Sequence, residues 1–154
     1  MDFRPHPEIE RILISETEIQ ARVGQMAAQI SADYKDSGSI ILIGVLKGAY
    51  MFFADLARRL TIPHYIDFLA VSSYGQLGAD SGAVRMLLDV RLDIYSKHVL
   101  VIEDIVDSGK TLDYLHAVLQ ARNPASIKTC VLTQKERPDV DARIDYLGFT
   151  IPDV

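Results

Sequence analysis

The stretch that most constrains this chain is Val99-Leu100-Val101-Ile102-Glu103-Asp104-Ile105-Val106-Asp107-Ser108-Gly109-Lys110-Thr111-Leu112. Its opening aliphatic run, with no polar alternation, fits a strand buried on both faces, as in a parallel sheet. From Leu112 to Leu119 apolar residues return at helical spacing, so a turn around Gly109 joins strand to helix. The polar residues therefore gather at a strand's carboxyl end. In open α/β sheets that is where loop amides and helix N-termini converge on a ligand.

Backbone N–H groups at a helix start have no intrahelical partner, so Ser108, Gly109, Lys110 and Thr111 form a cup suited to a phosphate monoester. Gly109 permits a close approach there, and the helix dipole favours the negative charge. Glu103, Asp104 and Asp107 would repel an anion unless they face sugar hydroxyls, a proton to be removed, or a divalent cation. All three uses fit a phosphorylated ribose. A P-loop competes, because Gly109-Lys110-Thr111 matches the end of G-x-x-x-x-G-K-[ST], but Asp104 stands where the first glycine belongs. A plain acidic turn before a helix capped by Ser108 leaves the three acids unexplained.

At 154 residues, 49% of them hydrophobic, the chain is long enough for one well-buried core, so residues 1–154 read as a single domain. The net charge of −5 and the lack of any Lys/Arg run argue against a nucleic-acid groove or an anionic membrane surface. Met1 to Glu8 is charged and broken by proline, unlike a signal peptide, and the apolar run Ile40 to Leu46 is too short to span a bilayer. A cytoplasmic location is expected. Cys130 is the one cysteine, which excludes an internal disulfide and reads as a buried strand thiol. His6, His64, His98 and His116 lack metal-pair spacing and read as surface or strand-edge residues.

Along the chain, Ile12-Leu13-Ile14 reads as a short strand or lead-in, and Ser15 to Glu18 as a capping box before a helix to about Tyr34. Ser39 to Val45 is a buried strand, about Ala49 to Leu60 a helix, and Tyr65 to Ser73 a strand. Residues 75–82 read as a mobile connection, with Ala83 to Leu88 returning as a strand. After the motif come a helix from Thr111 to Ala121, a strand from Ile127 to Thr133, a charged connection from Glu136 to Arg143, and Tyr146 to Phe149. The alternation predicts an α/β fold: a doubly wound, mainly parallel sheet flanked by helices.

Glu103 to Leu112 resembles the phosphoribosyl-pyrophosphate signature of type I phosphoribosyltransferases, and more narrowly their hypoxanthine (hypoxanthine-guanine) branch. Leu46-Lys47-Gly48-Ala49-Tyr50, Ser72-Ser73-Tyr74-Gly75 and Lys135 follow that family's pattern in the expected order, over about Ile12 to Pro152. The resemblance implies purine salvage: hypoxanthine, and guanine too, would react with phosphoribosyl pyrophosphate to give the nucleoside 5′-monophosphate and pyrophosphate, with Mg²⁺ as cofactor. It implies that Asp107 handles the proton on the attacking imidazole nitrogen and that residues 108–111 hold the 5′-phosphate. Glu103 and Asp104 would face the ribose hydroxyls directly or through magnesium-bound water. Lys47 and Gly48 would bind pyrophosphate, with a cis Leu46–Lys47 peptide. Ser73 and Tyr74 would open the flexible catalytic loop. Lys135 would donate to the purine 6-oxo group, and Ile105 would pack on the base.

The family also continues from a similar Ile-Pro-Asp into another strand that completes the base pocket, so the chain is expected to be a form shortened at its C-terminus. Relatives commonly form dimers or tetramers, which implies a homo-oligomer. A non-catalytic nucleotide- or phosphoribosyl-pyrophosphate-binding regulator of the same fold is the alternative reading.

Overall fold

Ser15 opens the first helix with the expected capping box: its Oγ accepts from the Glu18 amide at 3.1 Å, and Glu18 Oε2 accepts from the Ser15 amide at 2.8 Å. The computed structural model describes residues 6–74 and 83–154, so the connection expected at 75–82 lies outside the described residues. Helix α1 (Glu16–Asp33) is followed by β1 (Ile40–Leu46), α2 (Tyr50–Arg59), β2 (His64–Tyr74), β3 (Ala83–Leu88), β4 (His98–Val106), α3 (Lys110–Gln120), β5 (Ser126–Lys135) and β6 (Tyr146–Ile151). Ile12-Leu13-Ile14 forms no strand. It takes no place in the sheet, and Ile12 and Leu13 stay exposed.

The six strands run in the order β3-β2-β1-β4-β5-β6, parallel except for the antiparallel β2–β3 pair. Strand order therefore reverses between β1 and β4, and a crevice opens at their carboxyl ends. Alternate residues of the two central strands feed opposite layers. Ile40, Leu42, Leu100 and Ile102 pack with Met26 and Ile30 of α1 and Leu56 of α2, whereas Ile41, Ile43, Val99 and Val101 pack with Leu112, Leu115 and Leu119 of α3. The expected doubly wound architecture is present. At Gly44 of β1, the rings of Phe53 and Phe68 close over the strand with centroids 4.8 Å apart, and a β-carbon there would lie 2.8 Å from Phe53.

Two strands extend further than the sequence suggests. β4 continues through Glu103 and Asp104 to Val106, and β5 runs to Lys135, because Ile105 pairs with Thr133 and Val106 with Gln134. The Thr133 hydroxyl adds a bond to the Asp104 carbonyl at 3.0 Å. Cys130 is fully buried in β5, as expected. His116 is not a surface residue: it is half-buried on α3, its Nε2 lies 2.9 Å from the hydroxyl of buried Thr129, and burial lowers its pKa.

Candidate active site

A cleft of about 280 Å³ opens at the point where strand order reverses. Leu46 and Gly48 line it from the end of β1, Val71 from β2, and residues 103–109 with Thr111 and Leu112 from β4 and the start of α3. Gly109 caps α3 in the left-handed conformation, φ +80°, which a residue with a β-carbon adopts only with strain. That geometry turns the chain sharply enough to direct the first amides of α3 outward. The Ser108 hydroxyl accepts from the Lys110 amide at 3.4 Å.

Glu103 and Asp104 are adjacent at the end of β4, and both line the cleft. Asp104 reaches toward the β1–α2 loop, where a β-carbon on Gly48 would lie 2.7 Å from its Cγ. Gly48 is thus required by close approach of a carboxylate. The Leu46–Lys47 peptide beside it is cis, as the resemblance implies. Glu103 is only 7% exposed, and its Oε1 accepts from the Asp104 amide at 3.0 Å. Burial, reinforced by the neighbouring Asp104 carboxyl, pushes its pKa up to about 9.

Asp107 is exposed at the cleft's edge, between two cations. Arg137 Nη1 donates to Oδ1 at 2.8 Å and Lys135 Nζ to Oδ2 at 3.3 Å. Arg137, then Lys135, hold the carboxyl below its ordinary value. Lys135 also lies 3.7 Å from Asp153 Oδ1. Ile105 leaves 40% of its surface open at the cleft, an apolar wall beside three acids. Among the described residues no three His, Cys, Asp or Glu side chains gather as a metal cage.

The family model for the phosphoribosyl transferase domain matches residues 14–153. The chain belongs to the phosphoribosyl transferase family. Its relatives place it in the hypoxanthine branch. It is 46% identical over 145 residues to the hypoxanthine phosphoribosyltransferase of Buchnera aphidicola, covering 93% of this chain and 82% of the relative. It is 44% identical over 145 residues to the hypoxanthine-guanine phosphoribosyltransferase of Dictyostelium discoideum, covering 92% and 81%. A solved structure of a Trypanosoma cruzi hypoxanthine phosphoribosyltransferase point mutant, complexed with the product IMP, superposes with TM-score 0.89 at 43% identity, covering 98% of this chain and 82% of that one.

In this phosphoribosyltransferase the cleft brings together Gly48, Glu103, Asp104, Ile105, Asp107, Ser108, Gly109 and Thr111 of the residues singled out in the sequence. Lys47 and Lys110 do not line the cleft wall, and Lys135 joins the site through Asp107. Ser73 and Tyr74 end β2, paired in backbone register with Val84 and Ala83. Arg137 and Asp153 are the charged residues that sequence reasoning misses. Neither carries a motif, and both meet the site from chain segments about 30 and 46 positions away, which only the β4–β5–β6 register brings close.

Proposed function

We propose that this phosphoribosyltransferase joins an imidazole nitrogen of hypoxanthine, or of guanine, to the anomeric carbon of phosphoribosyl pyrophosphate. The C–O bond to pyrophosphate breaks, pyrophosphate leaves with the bonding electron pair, and the purine's imidazole proton passes to Asp107. The observation that carries this reading is the pairing of Asp107 with Lys135 at 3.3 Å. A 6-oxopurine presents along one edge an acceptor oxygen and the N–H of the imidazole nitrogen that does not attack, and a carboxylate beside an ammonium is complementary to that pair; losing this proton makes the other nitrogen nucleophilic. Asp107 is exposed and therefore ionised near neutrality, the state that accepts a proton, and Arg137, then Lys135, lower its pKa further.

The remaining roles are those the family resemblance implies, and the gathering of Gly48, Glu103, Asp104, Ile105, Ser108, Gly109 and Thr111 at one cleft supports them. The amides and hydroxyls of residues 108–111 anchor the 5′-phosphate, and Asp104 with Glu103 meets the ribose hydroxyls. Remote binding of that kind positions the anomeric carbon for attack. Lys47 and Gly48 receive pyrophosphate, Ile105 supports the purine ring, and Ser73 and Tyr74 act in excluding water from the reacting centre. Mg²⁺ fits this donor set: one or two carboxylates hold it together with substrate phosphates, and Asp104 would supply one and Glu103 a second on losing its proton, where no all-protein cage forms among the described residues. When bound, the ion neutralises charge on the departing pyrophosphate.

No helix among the described residues is long and apolar enough to cross a membrane. We place the protein in the cytoplasm as a dimer or tetramer, as the resemblance to its family implies. The test of function is a base panel: phosphoribosyl pyrophosphate should be consumed with hypoxanthine or guanine and Mg²⁺, but not with adenine or without base. Binding without consumption for every 6-oxopurine would replace the enzyme with a regulator of the same fold.

A further inference from the structure

Arg137 makes a shorter contact with Asp107 than Lys135 does, 2.8 Å against 3.3 Å, so each carboxylate oxygen has its own cation. The far side of the same guanidinium is anchored by acids: Nη2 lies 3.3 Å from Asp139 Oδ2, and Nε 3.9 Å from Asp153 Oδ2. Three residues on, Val140 packs against the motif turn, its Cγ1 3.4 Å from where a β-carbon on Gly109 would lie. A planar guanidinium tethered on several edges has little orientational freedom, and it transmits that order to the carboxylate it binds. Arg137 is 30% exposed and Asp107 53%, and ion pairs this open to water contribute little to folding stability. Their arrangement is better matched to chemistry at Asp107 than to holding the fold.

We propose that Arg137 is a positioning residue for proton transfer, fixing the Asp107 carboxylate beside Lys135 in the charged form that takes the purine's proton. This rests on the assignment of Asp107 as proton acceptor. The charged groups facing Asp107 are Lys135 from β5 and Arg137 from the connection after it, with Asp139 and Asp153 behind them. The hydrogen bond from Arg137 is the largest single cause of the lowering of Asp107's pKa.

Two readouts test it in the wild-type protein, Arg137→Lys and Arg137→Gln: carbon-13 NMR titration of the Asp107 side-chain carboxyl without substrate, and the pH profile of kcat/KM for hypoxanthine. The wild-type carboxyl should titrate below the ordinary aspartate range. Arg137→Gln should move that midpoint and the acidic limb of the profile to higher pH, and Arg137→Lys, which keeps the charge but lacks the planar fork, should fall between Arg137→Gln and wild type. A wild-type midpoint at the ordinary value overturns the proposal without any variant having to fold, as does an unmoved midpoint in folded Arg137→Gln. Absence of phosphoribosyl-pyrophosphate consumption by the wild type defeats the functional reading separately, since the titration needs no turnover.

Discussion

The carboxylate of Asp104 fills the space that a side chain at residue 48 would need, its Cγ 2.7 Å from the position of a β-carbon there. The loop after β1 and the acidic end of β4 are therefore one fitted unit, built across the central strand pair. Gly48→Ala would push Asp104 out of position. Displacements on the order of 1 Å at a reacting centre cost about 100-fold in rate, so kcat/KM for phosphoribosyl pyrophosphate should fall by about that factor. Because Gly48 is exposed, thermal melting should barely change. A variant with wild-type kcat/KM would show that this contact has no part in the site.

Glu103 makes stability depend on pH with a sign opposite to the usual carboxylate. Its folded pKa is raised from 4.5 to about 9. Below the unfolded value both states hold the proton and the group contributes nothing. As pH rises through that window only the unfolded chain ionises, so stability falls until the folded pKa is passed. Glu103→Gln should remove that slope in ligand-free, metal-free protein. At pH 8 it should stabilise by as much as about 5 kcal/mol, with little change at pH 4. Urea melts at both pH values check this, and equal shifts at both would contradict it.

Lys135 should set base choice. Hydrogen bonds to charged groups contribute about 1.5–3 kcal/mol, so Lys135→Met should lower kcat/KM for hypoxanthine by about 10- to 100-fold. Adenine, which gains nothing from an ammonium at its 6-position, should lose far less. Competition assays with the two bases measure the ratio directly. An unchanged ratio would remove Lys135 from base selection.

Gly44 lies under the Phe53 and Phe68 rings, 2.8 and 2.9 Å from a built β-carbon. Gly44→Ala overpacks the layer between β1 and α2 and should destabilise by about 1–3 kcal/mol. Chemical denaturation should show the loss, and combining it with Phe53→Leu should recover part. Strict additivity of the two changes would mean that the rings do not meet at Gly44.

Much of this site is legible in the amino-acid sequence, because its parts are local. The strand-turn-helix of residues 99–112 carries its own periodicity, the left-handed turn calls for Gly109, and helix and strand alternation points to a doubly wound sheet. Neighbours in sequence say less about which way side chains point. Glu103 and Asp104 read as a pair, yet the strand sends one into a buried position and the other across to Gly48. Arg137 and Asp153 are unreadable for a further reason: a charged connection has no period, and the contact of Arg137 with Asp107 and with Asp153 depends on strand pairing across the sheet. Ile12-Leu13-Ile14 has strand-like composition but no partner strand to bond.

The most direct test separates chemistry from binding at Asp107. Single-turnover rates with hypoxanthine, phosphoribosyl pyrophosphate and Mg²⁺ should fall by about 10²- to 10⁴-fold in Asp107→Asn. The Kd for phosphoribosyl pyrophosphate should stay within a few-fold of wild type, because the cup at residues 108–111 is intact. A wild-type single-turnover rate in Asp107→Asn would contradict the assignment of Asp107 as the proton acceptor.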